Sequence, residues 1–371
     1  MRLKMKKLLF AAYSLDIGGI EKALVTLTNY LQKCGYEITI VLEKKQGIFL
    51  KELNENIKII EYRPDESKNT LIRKIKNLCN RLKFIVKYKG KYDFSACFAT
   101  YSISSSFVSR VASNKSCLWG HADYFTLFEK SETEMRKFFA KRNYHKFKHV
   151  IFVSKEGRDR FIKIFPEMKE RTLVCNNLID GERIKKLSEE KIDEEKEEEF
   201  TTFINVGRHD EKQKKLSRII EAAKRLKADG YRFKVLWIGD GPDSEFYKEE
   251  VDKNGLQGNI KFLGRKQNPY PYFKISDCVI LTSDYEGYPV VFLESFILNR
   301  PIITTKVSDY EQVEGKYGYV TDKKIEDIYE KMKLFIENGF QIKEEFDVNQ
   351  YNKEIVEKLE KIFWKDNKWQ K

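Results

Sequence analysis

"DCVILTSDYEGYPVVFLESFILNRPIITT", residues 277 to 305, reads as a strand, a turn, a helix and a second strand. Apolar residues fill 278–281 of the expected strand 277–283, and Gly287 and Pro289 then break the run. Pro289 suits the first position of a helix, where its fixed φ fits and its missing N–H is not needed. The helix is expected to run to about Leu298, with Asn299 as a left-handed cap and Pro301 beyond the stop. A strand that returns through a helix to another strand is the repeating piece of a parallel sheet.

Working outward, the same alternation fills the chain. Strand candidates in the second half are 201–207, 232–239, 259–264, 277–283 and 301–305. In the first half they are 7–13, 37–43, 57–62, 94–100, 115–121, 149–154 and 172–177. The predicted fold class is α/β, with two doubly wound, Rossmann-like parallel sheets in sequence. A chain of 371 residues also exceeds one ordinary core. The charge run at 189–199 has no apolar period and marks a junction near residue 182. The expected division is residues 1–182, residues 183–350 and a terminal helix at 351–371, whose apolar stripe at 351, 355, 356, 359, 362 and 363 could dock on either domain. Open parallel sheets bind ligands at the carboxyl ends of their strands, so two facing sheets would make a cleft.

Composition narrows the class. With 41% apolar and 13% aromatic residues, no low-complexity segment and no internal repeat, the chain is a folded protein. Its net charge of +13 is one-sided: residues 1–180 hold 35 Lys and Arg against 19 Asp and Glu, and residues 181–371 hold 35 against 38. A basic half suits an anionic partner. Nucleic acid is set aside, because no aromatic residues interleave with the basic run and no binding module is recognised. The six cysteines stand singly without a C-x-x-C pair, which suggests neither a zinc site nor a disulfide framework and fits a reducing cytoplasm. The opening "MRLKMKKLLFAAYSLD" has too short an apolar stretch for a signal peptide and reads as a buried first strand. Nowhere do some 18 apolar residues run together, as a membrane span would need.

Four segments carry chemistry. In the opening stretch, Glu286 falls on the loop after a strand and Glu294 in the second turn of the helix behind it. Gly287 permits close backbone approach, and the free N–H groups around Val290 and Val291 would point at an anion between the two carboxylates. In "FINVGRHDEKQKKLSRIIEAAKRL", 203–226, Arg208 and Lys214 follow a strand end, a placement that suits a diphosphate and its developing charge. In "YSLDIGGIEKALVTLTNYL", 13–31, Gly18 and Gly19 separate the first strand from a helix and admit a phosphate or sugar, although a plain tight turn explains them as well. In "CLWGHADYF" a strand delivers His121 at its end, whereas His145 and His149 flank a basic connection with no evident partner.

These segments, in this order, resemble the family 4 glycosyltransferases, retaining enzymes with the two-domain GT-B fold. The resemblance spans nearly the whole chain and also includes "GDGP" at 239–242; "FLGRKQNPYPYFKISDCVILTSDYEGYPVVFLES" looks like members that build bacterial surface polysaccharides. It implies that Arg208 and Lys214 grip a donor diphosphate, that Glu286 holds sugar hydroxyls and Glu294 the ribose, that His121 meets the sugar's far hydroxyl, and that Gly18 and Gly19 line the donor phosphate and acceptor side. It implies a nucleotide-sugar donor, UDP-linked by expectation, a glycan or lipid-linked glycan acceptor, and no metal or other cofactor. Two departures stand out: Lys214–Lys215 replaces the usual Lys-Gly and lies one residue further on, and Pro289 replaces a common Gly. Glu286 as a covalent nucleophile, an epimerase or hydrolase of the same fold, and a catalytically silent partner subunit stay open as alternatives.

The segment 70–91, "TLIRKIKNLCNRLKFIVKYKGK", sets Leu71, Ile75, Leu78, Leu82 and Ile85 on one helical face. That face is expected to cover the sheet, while its cations attract the first domain to an anionic membrane surface. The expected location is therefore cytoplasmic, with peripheral attachment to the inner face of the membrane as a further candidate.

Overall fold

The computed structural model describes residues 5–16 and 18–364, which fall into two compact units. Unit 1 holds the chain up to Ile179 together with the residues from Gln350 onward, and unit 2 runs from Asp180 to Asn349.

Unit 1 is built on β1 (Lys7–Ala12), β2 (Glu37–Leu42), β3 (Lys58–Glu61), β4 (Phe94–Cys97), β5 (Ser116–Gly120), β6 (His149–Phe152) and β7 (Thr172–Val174). The order is β3-β2-β1-β4-β5-β6-β7, all parallel. β1 lies inside the sheet, and Leu8, Leu9, Phe10 and Ala11 are wholly buried. Helices cover both faces of such a sheet, which is why the strand reads as a continuous apolar run and not as an alternation. The winding reverses between β1 and β4.

Unit 2 carries β8 (Thr201–Val206), β9 (Phe233–Ile238), β10 (Ile260–Gly264), β11 (Cys278–Leu281), β12 (Ile302–Thr305) and β13 (Gly318–Thr321). Their order is β10-β9-β8-β11-β12-β13, again parallel, with the reversal between β8 and β11. Its core gathers Phe203, Trp237 and Ile280 from the strands with Ile219, Ile220 and Met332 from the helices.

The structure corrects several local expectations. The strand expected at 172–177 stops at Val174 and that at 115–121 stops at Gly120, because the last residues leave the ladder to form the carboxyl-end loops. Among the described residues β13 is a thirteenth strand that the sequence did not signal: only Tyr319 and Val320 of its four residues are apolar. Pro289 is the N-cap and not the first helical residue: its ψ of 97° is extended, the helix spans Val290–Ile297, and the Phe292 N–H donates to the Pro289 carbonyl at 2.9 Å. Asn299 does take the left-handed conformation, with φ 52°.

The terminal helix starts before residue 351, at Val348, and is described to Trp364; the remainder of the predicted span, 365–371, lies outside the described residues. In unit 1, Phe363 packs on Phe94 with ring centroids 4.4 Å apart, and Asn352 exchanges hydrogen bonds with the backbone of Ile179 at 3.1 and 2.7 Å.

The clearest reversal concerns the helix Thr70–Tyr88. Its apolar stripe does not cover the sheet: Leu71, Ile75, Leu78 and Leu82 are all exposed, and only Phe84 of this helix is buried. A helical stripe shows which residues share a face, but not what that face meets.

His149 lies inside β6, buried, and neither ring nitrogen has a hydrogen-bond partner among the described residues. Burial, with the nearby charge of Lys148, pushes its pKa down to about 4. An unfolded histidine takes up its proton near pH 6.5, so acid favours the unfolded chain until the folded residue also titrates. The stability contribution is complete above about pH 6.5 and is lost as the pH falls towards about 4. The melting temperature should drop across that window, and His149→Phe should make the drop shallower; an unaltered pH slope in the variant would remove His149 as a cause.

Candidate active site

β8 and β11 are neighbours at the point where the strand order reverses, and parallel sheets form a ligand crevice at the carboxyl ends of such strands. Arg208 and Lys214 follow β8, and Glu286 follows β11. Lys214 Nζ lies 2.6 Å from Glu286 Oε1, and only 17% and 9% of the two side chains are exposed, so the pair is largely withdrawn from water. Charges so placed need full partnering. Ser283 donates to the same Oε1 at 2.6 Å, Gln213 Nε2 approaches Oε2 at 3.4 Å, and the Ser308 hydroxyl donates to the Glu286 carbonyl at 2.8 Å. The loops after β8, β11 and β12 thus converge on one glutamate.

Two further residues fix the β8 loop. Thr282 donates to the carbonyls of Lys214 and Lys215 at 3.2 and 3.1 Å, and Arg218 grips the Thr282 carbonyl and Asp284 at 2.8 and 2.7 Å. Lys215 adopts a left-handed φ of 50° and turns its ammonium to Glu211, 3.3 Å away. The structure therefore separates the adjacent lysines: Lys214 shares the crevice with Glu286, and Lys215 faces elsewhere. Arg208, with 62% of its side chain exposed, pairs with Asp210 at 2.6 Å on the outer part of the same loop.

Glu294 lies in the second turn of the helix Val290–Ile297 and is buried, accepting a hydrogen bond from the Tyr270 hydroxyl at 3.0 Å. The N–H groups of Val290 and Val291 have no acceptor within that helix, by its geometry, and carry the positive end of its dipole. Gly287 lies between Glu286 and this helix start.

Behind the β8 loop, backbones come into contact. A Cβ on Gly239 would stand 1.8 Å from the Gly207 carbonyl oxygen, and one on Gly241 would stand 2.1 Å from that of His209. Gly239 also has φ +144°. The "GDGP" turn is therefore the buttress that sets the position of the β8 loop. His209, buried beside Trp237 and Phe262, meets Ser244 through Nδ1 at 2.9 Å and holds a pKa below the usual histidine range through burial.

Unit 1 carries the remaining predicted residues at its own strand ends. Gly18 precedes the helix Gly19–Lys33, and the Glu21 carboxylate folds back over it: a Cβ at 18 would meet Glu21 Oε2 at 2.1 Å. A Cβ at Gly19 would meet nothing within 4 Å. The Tyr101 hydroxyl, from the loop after β4, donates to Glu21 at 3.1 Å, and burial raises the Glu21 pKa above the usual carboxylate range. His121 follows β5 with its ring 4.4 Å from that of Phe98. Its Nε2 is buried and without a partner among the described residues, and burial lowers its pKa to about 3, so the ring is neutral near pH 7.

The sequence missed Ser283, Gln213, Ser308 and Tyr270 in unit 2 and Glu21 and Tyr101 in unit 1. Serines and glutamines at loop positions give no spacing signal, and Tyr270 reaches Glu294 from 24 residues away. A cavity of roughly 480 Å³ lined by Lys196, Phe200, Thr201, Asp277, Pro301 and Phe335 lies where β8, β11 and β12 begin, at the end of the sheet opposite to this site.

Comparison with known proteins fits this geometry. Residues 186–354 match the family model of glycosyl transferases group 1. An uncharacterized glycosyltransferase of Methanocaldococcus jannaschii, MJ1059, is 29% identical over 170 residues, 45% of this chain; the match spans only 42% of that relative's length. The Campylobacter jejuni N-acetylgalactosamine-N,N'-diacetylbacillosaminyl-diphospho-undecaprenol 4-alpha-N-acetylgalactosaminyltransferase is 24% identical over 81% of each chain. The crystal structure of Anabaena HepE with UDP and glucose superposes with a TM-score of 0.72, at 19% identity, over 96% of this chain and all of that one. The likeness to HepE shows a GT-B fold, and the match to the glycosyl transferases group 1 model falls mainly within unit 2.

The buttress can be tested directly. Gly239→Ala should cost on the order of 3 kcal/mol through positive φ and backbone overlap. Gly258→Ala, where a Cβ meets nothing within 4 Å, should leave stability nearly unchanged. Equal melting temperatures for the two variants would show that the turn tolerates a side chain.

Proposed function

We propose that this chain moves a hexose from a nucleotide diphosphate donor, UDP-linked, to a growing, lipid-linked surface glycan, with retention at the anomeric carbon and without a divalent metal. The observation that carries the reading is the assembly of Lys214, Glu286, Ser283 and Gln213 in the β8/β11 crevice beside the helix start at Val290. HepE, of the same fold, was solved with UDP and glucose, and the Campylobacter relative is named for a diphospho-undecaprenol acceptor.

In this reading Lys214 leaves Glu286 for the diphosphate, and the exposed Arg208 turns to join it. Together with the helix N–H groups they stabilise the charge of the departing nucleoside diphosphate. Glu286, still oriented by Ser283, then accepts hydrogen bonds from sugar hydroxyls. Buried Glu294 takes the ribose, and neutral His121 offers Nε2 to a sugar hydroxyl. The bond between the anomeric carbon and the phosphate oxygen breaks, a bond to the acceptor oxygen forms on the same face, and the acceptor proton passes to the leaving phosphate. A lipid-linked acceptor would draw a cytoplasmic protein to the inner face of the membrane.

UDP-, GDP- and ADP-sugars should be compared by thermal shift. A true donor at about a hundred times its Kd adds roughly 2.7 kcal/mol, a shift of several degrees. The UDP class is expected to give that shift, and Glu286→Gln or Arg208→Ala to abolish it; a shift that survives both variants refutes the assignment. Product analysis with a lipid-linked acceptor should show the anomeric configuration kept and turnover undiminished by EDTA. Donor consumed without a glycosylated acceptor would instead indicate a hydrolase or epimerase.

A further inference from the structure

The helix Thr70–Tyr88 holds to unit 1 by a narrow seam. Phe84 packs against Tyr62, Tyr88 and Phe107 with ring centroids 5.2, 4.8 and 6.1 Å away, Arg81 lies over the Phe107 ring, and Asn77 bonds the backbone of Asp65 on both sides. Asn69 caps the start, accepting from the N–H groups of Leu71 and Ile72. The helix is thus well formed and anchored along one edge.

The rest of its surface is unusual. Leu71, Ile75, Leu78, Leu82 and Val86 are 67%, 54%, 57%, 52% and 82% exposed. At roughly 100° per residue they fall along one line, about 28 Å long over the whole helix, turned away from the Phe84 seam. On the same wheel Lys76, Lys83 and Lys87 flank one side of the line, and Lys74 and Arg81 the other. Residues 70–88 contain six Lys and Arg and no Asp or Glu. An apolar ridge of this length, left in water, marks a surface that something covers.

We propose that this helix lies in the plane of an anionic lipid bilayer, its leucine and isoleucine ridge among the upper acyl chains and its flanking cations among the headgroups. Charge decides the occupant. A second copy of the helix would bring like charges together along the full ridge, at a cost, whereas an anionic surface neutralises both flanks at once. Nucleic acid would pair with the cations but leave the ridge without a partner. Among the described residues no helix is long and apolar enough to cross a membrane, so attachment by this face is in-plane. The inference stands on exposure and charge and does not rest on the donor reading.

The test uses the full chain and vesicles of neutral phosphatidylcholine, with or without roughly 30% phosphatidylglycerol. Binding should require the anionic lipid and weaken with salt. Each cation near the surface contributes about a fivefold factor, so Lys74→Gln/Lys83→Gln/Lys87→Gln should weaken binding on the order of a hundredfold. Leu78→Ser/Leu82→Ser should weaken it at least about tenfold on the same vesicles with the melting temperature unchanged, because both sites are exposed. Leu78→Trp should shift to the blue on binding and be quenched by brominated lipid. The proposal is overturned if the serine variant binds as the parent does, if neutral vesicles bind equally, or if the parent forms a dimer that the serine variant abolishes. No nucleotide sugar is present, so failure here leaves the donor assignment intact, and transfer to a soluble acceptor should be the same in all these variants.

Discussion

The Lys214–Glu286 pair bridges the two strands at which the second sheet changes its direction of winding. Loops leaving β8 and β11 turn to opposite faces, so the backbone opens there and side chains from both loops meet. A lone carboxylate in that crevice would be expensive to keep charged. An ammonium and a serine hydroxyl, each 2.6 Å from Oε1, offset that cost.

Everything around the pair keeps it in place. Gly239 and Gly241 let the β9 turn press on the β8 loop, Thr282 and Arg218 tie that loop to the end of β11, and Ser308 holds the Glu286 backbone from beyond β12. The first sheet reverses between β1 and β4, and there too a carboxylate is held across the opening, Glu21 by Tyr101. Both units thus place a partnered acid at the switch point of a parallel sheet, by different residues. The two openings differ in charge balance: Glu286 faces a cation, whereas Glu21 is held by a neutral hydroxyl and its raised pKa follows from burial.

The one-sided charge of the chain also acquires a physical location. Part of the excess of the first half lies on a single helix whose apolar residues were expected to be core and are not. Phe84 alone supplies that helix's buried anchor, which frees five large apolar side chains for another medium.

Fold class was legible in the sequence because a parallel strand covered on both faces leaves a continuous apolar run, and twelve such runs separated by helical stretches allow few other architectures. That Arg208 and Lys214 follow one strand and Glu286 another, with Glu294 in the helix behind, was legible for a related reason: strand ends and Gly-Pro turns have a local signature. β13, the N-cap role of Pro289, the partners Ser283, Gln213 and Tyr270, and the pairing of Lys214 with Glu286 while Lys215 pairs with Glu211 were not, since each depends on residues distant in the chain or on one backbone angle. Periodicity determined that Leu71, Ile75, Leu78 and Leu82 share a face. Only the packed structure decided that this face meets no protein in unit 1, because burial depends on what the rest of the chain brings alongside a helix.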